Sequence, residues 1–173
     1  MKKKRTPPES FDIPDASLEQ AKEWLRERFK KKGAHCPCCR RFVKLYPRPI
    51  SSDMARGAIA LYSKHRELGW DQWLHIPTIM NEACPSNMGS LLRFWDLIEP
   101  QGGVRDDGSS RTGFYRMTTA GRGFVEGTHR VVRHMFIYNQ RLLRRGSPDD
   151  TVSIWDCLKN KFNYDELMGT RTS

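Results

Sequence analysis

Apolar residues recur along this chain at spacings that switch between helical and extended. Leu18, Ala21, Leu25 and Phe29 follow one another by three or four positions, behind a Ser17-x-x-Gln20 capping box and ahead of Gly33, which predicts a first helix over residues 18–32. Its far face, with Lys22, Arg26 and Lys30, reads as solvated. Residues 41–46 alternate apolar and basic positions before Pro47 and Pro49, the pattern of a short strand. Ser51 or Ser52 then caps a helix to about residue 67, in which Met54, Ala55, Ala58, Ile59, Leu61 and Tyr62 make a broad apolar face and Gly69 is the stop.

Pro77 suits the first turn of a short helix over 78–83, Cys84-Pro85 breaks it, and Ser86 caps a third helix over 87–95. Leu97-Ile98-Glu99 reads as a strand, 101–113 as an exposed flexible loop, 114–118 as a second strand, and 120–125 as a helix opened by Thr119. Strands 134–138 and 141–143 form a hairpin through Asn139-Gln140, a poorer turn pair than Asn-Gly. A helix over 153–159 places Ile154, Trp155 and Leu158 on the core, and a Phe162 to Met168 segment closes the chain. The expected fold is α+β, in four stretches: a basic flexible tail (1–16), a helix with a cysteine knuckle and short strand (17–50), a winged helix-turn-helix (51–127), and a basic hairpin plus C-terminal helix packing on that core (128–173). Helix, helix, turn, helix, strand, long loop, strand is the order that identifies the third stretch.

The run Leu91-Leu92-Arg93-Phe94-Trp95-Asp96-Leu97-Ile98-Glu99, an aromatic strand ending Met117-Thr118, and Ala120-Gly121-Arg122-Gly123-Phe124-Val125 resemble the wing region of winged-helix repressors of the MarR class, over residues 85–127. The resemblance implies sequence-directed DNA binding and transcription regulation. From its Cys-Pro-Cys-Cys motif to its Tyr-Asp-Glu-Leu-Met end, the chain also looks like small proteins carried by bacteriophages. That second likeness implies a viral protein working in the host bacterial cytoplasm, without implying an activity.

Charge turns this fold into a partner class. The net +10 is distributed as +8 over residues 1–48, −2 over 49–100, +6 over 101–146 and −2 over 147–173, and two basic blocks point to a polyanion. No apolar run is long enough to span a bilayer, and Met1-Lys2-Lys3-Lys4-Arg5 leads into Thr6-Pro7-Pro8, not a signal core, so a soluble, membrane-free protein is expected. Five cysteines, three of them within residues 36–39, fit a reducing compartment better than a disulfide scaffold. No P-loop, G-x-G-x-x-G, H-E-x-x-H or G-x-S-x-G motif occurs, and His65 and His75 have no spaced partner, so no enzyme is expected.

Asn87, Ser90 and Arg93 are the residues of the third helix left free for a major groove, where Arg pairs with guanine and Asn with adenine edges. Arg105 and Arg111 lie in the wing, and Arg130, Arg133, Arg141, Arg144 and Arg145 form a denser basic set suited, with the tail, to phosphates. Cys36 and Cys39 have the C-x-x-C spacing of a structural Zn²⁺ knuckle, although Arg40 stands where glycine is usual, and His129 and His134, spaced H-x4-H, are the expected completing ligands. His35, Cys38 and Cys84 are alternatives. Duplex DNA is the first expected partner. The competing readings are a module that inhibits or redirects a host protein such as a polymerase or defence nuclease, and RNA binding through the basic hairpin; a homodimer is compatible with each.

Overall fold

The computed structural model describes residues 16–84, 88–103 and 113–169. The chain is a mixed helix and sheet protein that divides into two compact units, one of residues 1–47 with 136–143, the other of residues 48–135 with 144–173. The expected flexible tail and most of the expected wing loop lie outside the described residues.

In the first unit α1 (Leu18–Arg28) starts with the expected capping box: Gln20 N–H donates to Ser17 Oγ at 3.3 Å, and Ser17 N–H donates to Gln20 Oε1 at 2.8 Å. It stops short of residue 32. Gly33, at φ 87, donates its N–H to the Arg28 carbonyl, and Phe29 turns inward, its ring 5.0 Å from that of Tyr138. β1 (Ala34–His35) pairs antiparallel with β2 (Phe42–Val43). The strand expected over 41–46 shrinks to two residues because Leu45 leaves the ladder to bury itself, donating its N–H to Phe29 O at 2.9 Å. Pro47 and Pro49, read as strand terminators, themselves belong to β3 (Pro47–Pro49), an exposed strand in which Arg48 alone has an N–H to give, as prolines tolerate only at an edge.

The second unit is organised around α2 (Ser52–Leu68), capped by Ser51 and buried along the expected face. Next come β4 (Leu74–His75), which the sequence reading missed, α3 (Ile76–Met80) with Pro77 in its first turn, and a 3₁₀ helix, Met88–Trp95. β5 (Ile98–Pro100), β6 (Phe114–Met117) and α4 (Thr119–Val125) follow, the last capped by Thr118. The three strands form one antiparallel sheet in the order β4-β6-β5, with Leu74 opposite Tyr115 and Ile98 opposite Met117. His65, fully buried, ties α2 to this sheet. Its Nδ1 meets Gly69 O at 3.0 Å and its Nε2 accepts the Met117 N–H at 3.2 Å, partners that assign the Nδ1–H tautomer. Gly121 lets α4 sit directly on the chain at Leu97, because a Cβ there would land on the Leu97 carbonyl.

An α-helix was expected over 87–95, and the observed 3₁₀ form has a physical reason. Gly89, Leu92 and Trp95 are its buried residues, spaced by three, and three residues per turn stacks them in one column facing the core. Gly89 abuts Met80, and Trp95 Nε1 donates to Val132 O at 2.8 Å.

Further along, β7 (Val131–Val132) pairs with β10 (Thr151–Val152), a ladder not anticipated from sequence. Between them β8 (His134–Tyr138) and β9 (Arg141–Arg145) make the expected hairpin, with Asn139 and Gln140 at φ 45 and 58. Both turn residues are left-handed, as a two-residue type I′ turn demands. Residues 136–143, the hairpin's tip, belong to the first unit. α5 (Ile154–Leu158) carries a Ser153/Asp156 capping box, and α6 (Tyr164–Met168) is capped by Asn163. Ile154, Cys157 and Leu158 are buried. Trp155, expected on the core with them, is 49% exposed and instead covers Gly127 and meets Tyr164 at 5.3 Å.

Candidate functional site

Stacking Gly89, Leu92 and Trp95 toward the core puts Ser90 and Arg93 on an adjacent column of the 3₁₀ helix, both half-buried. Arg93 folds back on its own helix: Nη1 donates to Ser90 O at 3.0 Å, and the guanidinium lies 4.4 Å over the Phe94 ring. Asn87, Arg105 and Arg111 lie outside the described residues.

The basic set from residue 130 onward is engaged with carboxylates. Arg130 reaches Thr151 and Asp156 at 3.2 Å, Arg133 bonds Asp150 at 2.7 Å, and Arg145 bonds Asp96 at 2.8 Å. These pairs are about half exposed, where such contacts contribute about 0–1 kcal/mol each, so a phosphate can replace the carboxylate at little cost. Arg144 is exposed beside them, and Arg141 is exposed on the first unit. His129 is exposed as well, and His134 Nδ1 lies 3.6 Å from Asp150.

The surplus of positive charge is elsewhere. The described part of the first unit carries ten Lys or Arg against three Asp or Glu, a net +7, and that of the second carries thirteen against twelve, a net +1. The three described carboxylates of the first unit all lie on α1, where Glu19, Glu23 and Glu27 pair with Lys22, Arg26 and Arg28. Lys30, Lys31, Lys32, Arg40, Arg41, Lys44 and Arg141 remain, all exposed, in excess of that unit's described carboxylates. Sequence reading placed Lys30 on a solvated face, named Arg141 for phosphates and gave Arg41 and Lys44 no role. The +8 of the first 48 residues was the available signal.

Cys36, Cys38 and Cys39 lie in a tight turn between β1 and β2. Cys36 N–H donates to Arg41 O and Arg40 N–H to Cys36 O, both at 2.8 Å, and Arg40 adopts φ 57, the conformation that favours glycine at this position. Backbone N–H groups of Cys39 and then Cys38 point at the Cys36 sulfur and hold its thiol below the ordinary range. Cys38 and Cys39 are exposed and Cys36 half-buried. These donors fit a soft cation, but as half of a tetrahedral shell: among the described residues no group of three or more His, Cys, Asp or Glu stands where it could hold a metal. Of the expected ligands, Cys36 and Cys39 belong to the first unit and His129 and His134 to the second. Cys84 and Cys157 are buried, and burial pushes the Cys157 thiol up to about 12, which keeps it protonated and inert.

No helix among the described residues is long and apolar enough to cross a membrane. No family model matches the chain, and neither the curated proteins nor the solved structures contain a match.

Proposed function

We propose that this protein binds duplex DNA, with the second unit acting as a winged helix and the first supplying cations for phosphates. The observation that carries the reading is the net surplus of seven positive charges among the described residues of the first unit, a charge distribution suited to a polyanion. The fold assignment draws support from helices α2 and α3, the 3₁₀ helix and the β4-β6-β5 sheet, the order and pairing a winged helix uses. Ser90 and Arg93 would face the major groove, with Asn87 beside them and Arg105 and Arg111 in the wing. Arg130, Arg133, Arg141, Arg144 and Arg145 would exchange carboxylates or solvent for phosphates. Regulation of transcription is the role such binding would serve.

Fluorescence anisotropy with duplex, single-stranded DNA and RNA of one sequence, at two salt concentrations, tests this. Duplex preference and a steep loss of affinity with salt are expected; equal affinity for all three, or a flat salt response, contradicts it. One observation favours a second reading, binding of a host protein: the described part of the second unit is almost neutral, with Arg116, Arg122, Arg130, Arg133 and Arg145 each paired with a carboxylate. A partner retained on the protein after nuclease treatment would support that reading.

A further inference from the structure

The Cys36–Cys39 turn offers two soft donors, and among the described residues no third His, Cys, Asp or Glu stands with them where it could help hold a metal. All five histidines and five cysteines lie among the described residues. His65 uses both ring nitrogens in the core, Cys84 and Cys157 are buried, His75 Nδ1 holds Thr78 Oγ1 at 2.8 Å, and His35 Nδ1 holds Arg40 O at 2.9 Å. The first unit has only Ala21, Phe29, Ala34 and Leu45 as buried apolar residues among those described, too few to stabilise a unit of its size without a cross-link or ion.

We propose that Cys36 and Cys39 are half of a tetrathiolate site for a soft divalent cation, zinc foremost, completed by Cys36 and Cys39 of a second copy of this chain. Three features fit that occupant. The turn is closed by Cys36 N–H to Arg41 O and Arg40 N–H to Cys36 O, both at 2.8 Å, with Arg40 in the left-handed region, so Cys36 and Cys39 sit on one tight loop. Cys39 is exposed at the tip, so a second knuckle can reach it. The charges are of opposite sign as well: four thiolates on a divalent ion leave −2, and Arg40 and Arg41 of both copies bring +4 next to them in sequence. Without the ion those arginines repel the second copy, so association requires metal. This inference stands apart from nucleic-acid binding, because none of its readouts involves DNA.

The test uses the full chain, reduced and freed of metal, titrated with Zn²⁺ while bound metal and solution mass are measured, with Co²⁺ as a spectroscopic probe. Binding should saturate at one ion per two chains as the mass doubles from 20.2 kDa, with a Co²⁺ spectrum of four thiolates, and a chelator should reverse both. Cys36→Ser and Cys39→Ser should each abolish binding and dimerisation, and Cys38→Ser should leave both intact. Saturation at one ion per monomer overturns the proposal, most directly if His129→Ala or His134→Ala removes it. Absence of binding, or a Cys36–Cys39 disulfide resistant to metal, also overturns it. The wild-type stoichiometry decides the matter even where a variant folds poorly.

Discussion

The two units solve opposite problems. The second is held by burial: α2, the sheet and α5 share a core that includes Met54, Ile59, Leu61, Leu92, Phe124, Met135 and Ile154, with His65 hydrogen-bonded inside it. Its surface charge is almost cancelled within itself. Among its described residues the first buries four apolar residues and carries a net surplus of seven positive charges. Stability and charge are thus segregated, and a protein so divided can bind a polyanion strongly without that charge destabilising its principal core.

Substitutions in the second unit should break cohesion most. His65→Ala leaves the Met117 N–H and Gly69 carbonyl buried without a partner and opens a cavity, and should cost about 3–5 kcal/mol, measured by denaturant unfolding. A loss under 1 kcal/mol would mean that this histidine is not the tie between α2 and β6. Gly121→Ala forces a methyl onto the Leu97 carbonyl and should cost about 2–3 kcal/mol, with β5 and α4 separating first in hydrogen exchange.

The sequence-derived expectations held best where local chemistry and burial agree. Ser17/Gln20, the apolar face of α2, Pro77 in α3 and the Asn139-Gln140 turn were all visible, because a cap, a helical stripe or a turn pair is written in a few adjacent residues. What escaped was decided by distant partners. β4 exists because β6 pairs with it, β7 because β10 does, and the 3₁₀ form of Met88–Trp95 arises from the columnar burial of Gly89, Leu92 and Trp95. The same holds for the site. The basic blocks were legible, but their carboxylate partners were not: Arg145 meets Asp96 and Arg130 meets Asp156 only after folding.

Smaller effects sharpen the contrast. Asp156 is held below its ordinary 3.8 by the Ser153 N–H and hydroxyl, then by Arg130, so its ionised form stabilises the second unit above pH 3.8 and that contribution disappears as pH falls through the lowered value. Asp156→Ala should therefore cost about 1 kcal/mol at neutral pH and almost nothing in strong acid; a pH-independent cost would assign the effect to packing. Arg40→Gly relieves the left-handed backbone at the knuckle and should raise the first unit's stability by about 1 kcal/mol in thermal melts, the reverse of the usual glycine effect.

The division of charge itself is tested most directly by the salt dependence of duplex binding in two triple variants. Neutralising Lys30, Lys31 and Lys32 together should flatten the slope of log affinity against log salt by roughly two to three, since each phosphate contact contributes about 0.9. Neutralising Arg130, Arg133 and Arg145, each of which must first leave a carboxylate, should change it by less. A larger change from the arginines than from the lysines would contradict the account.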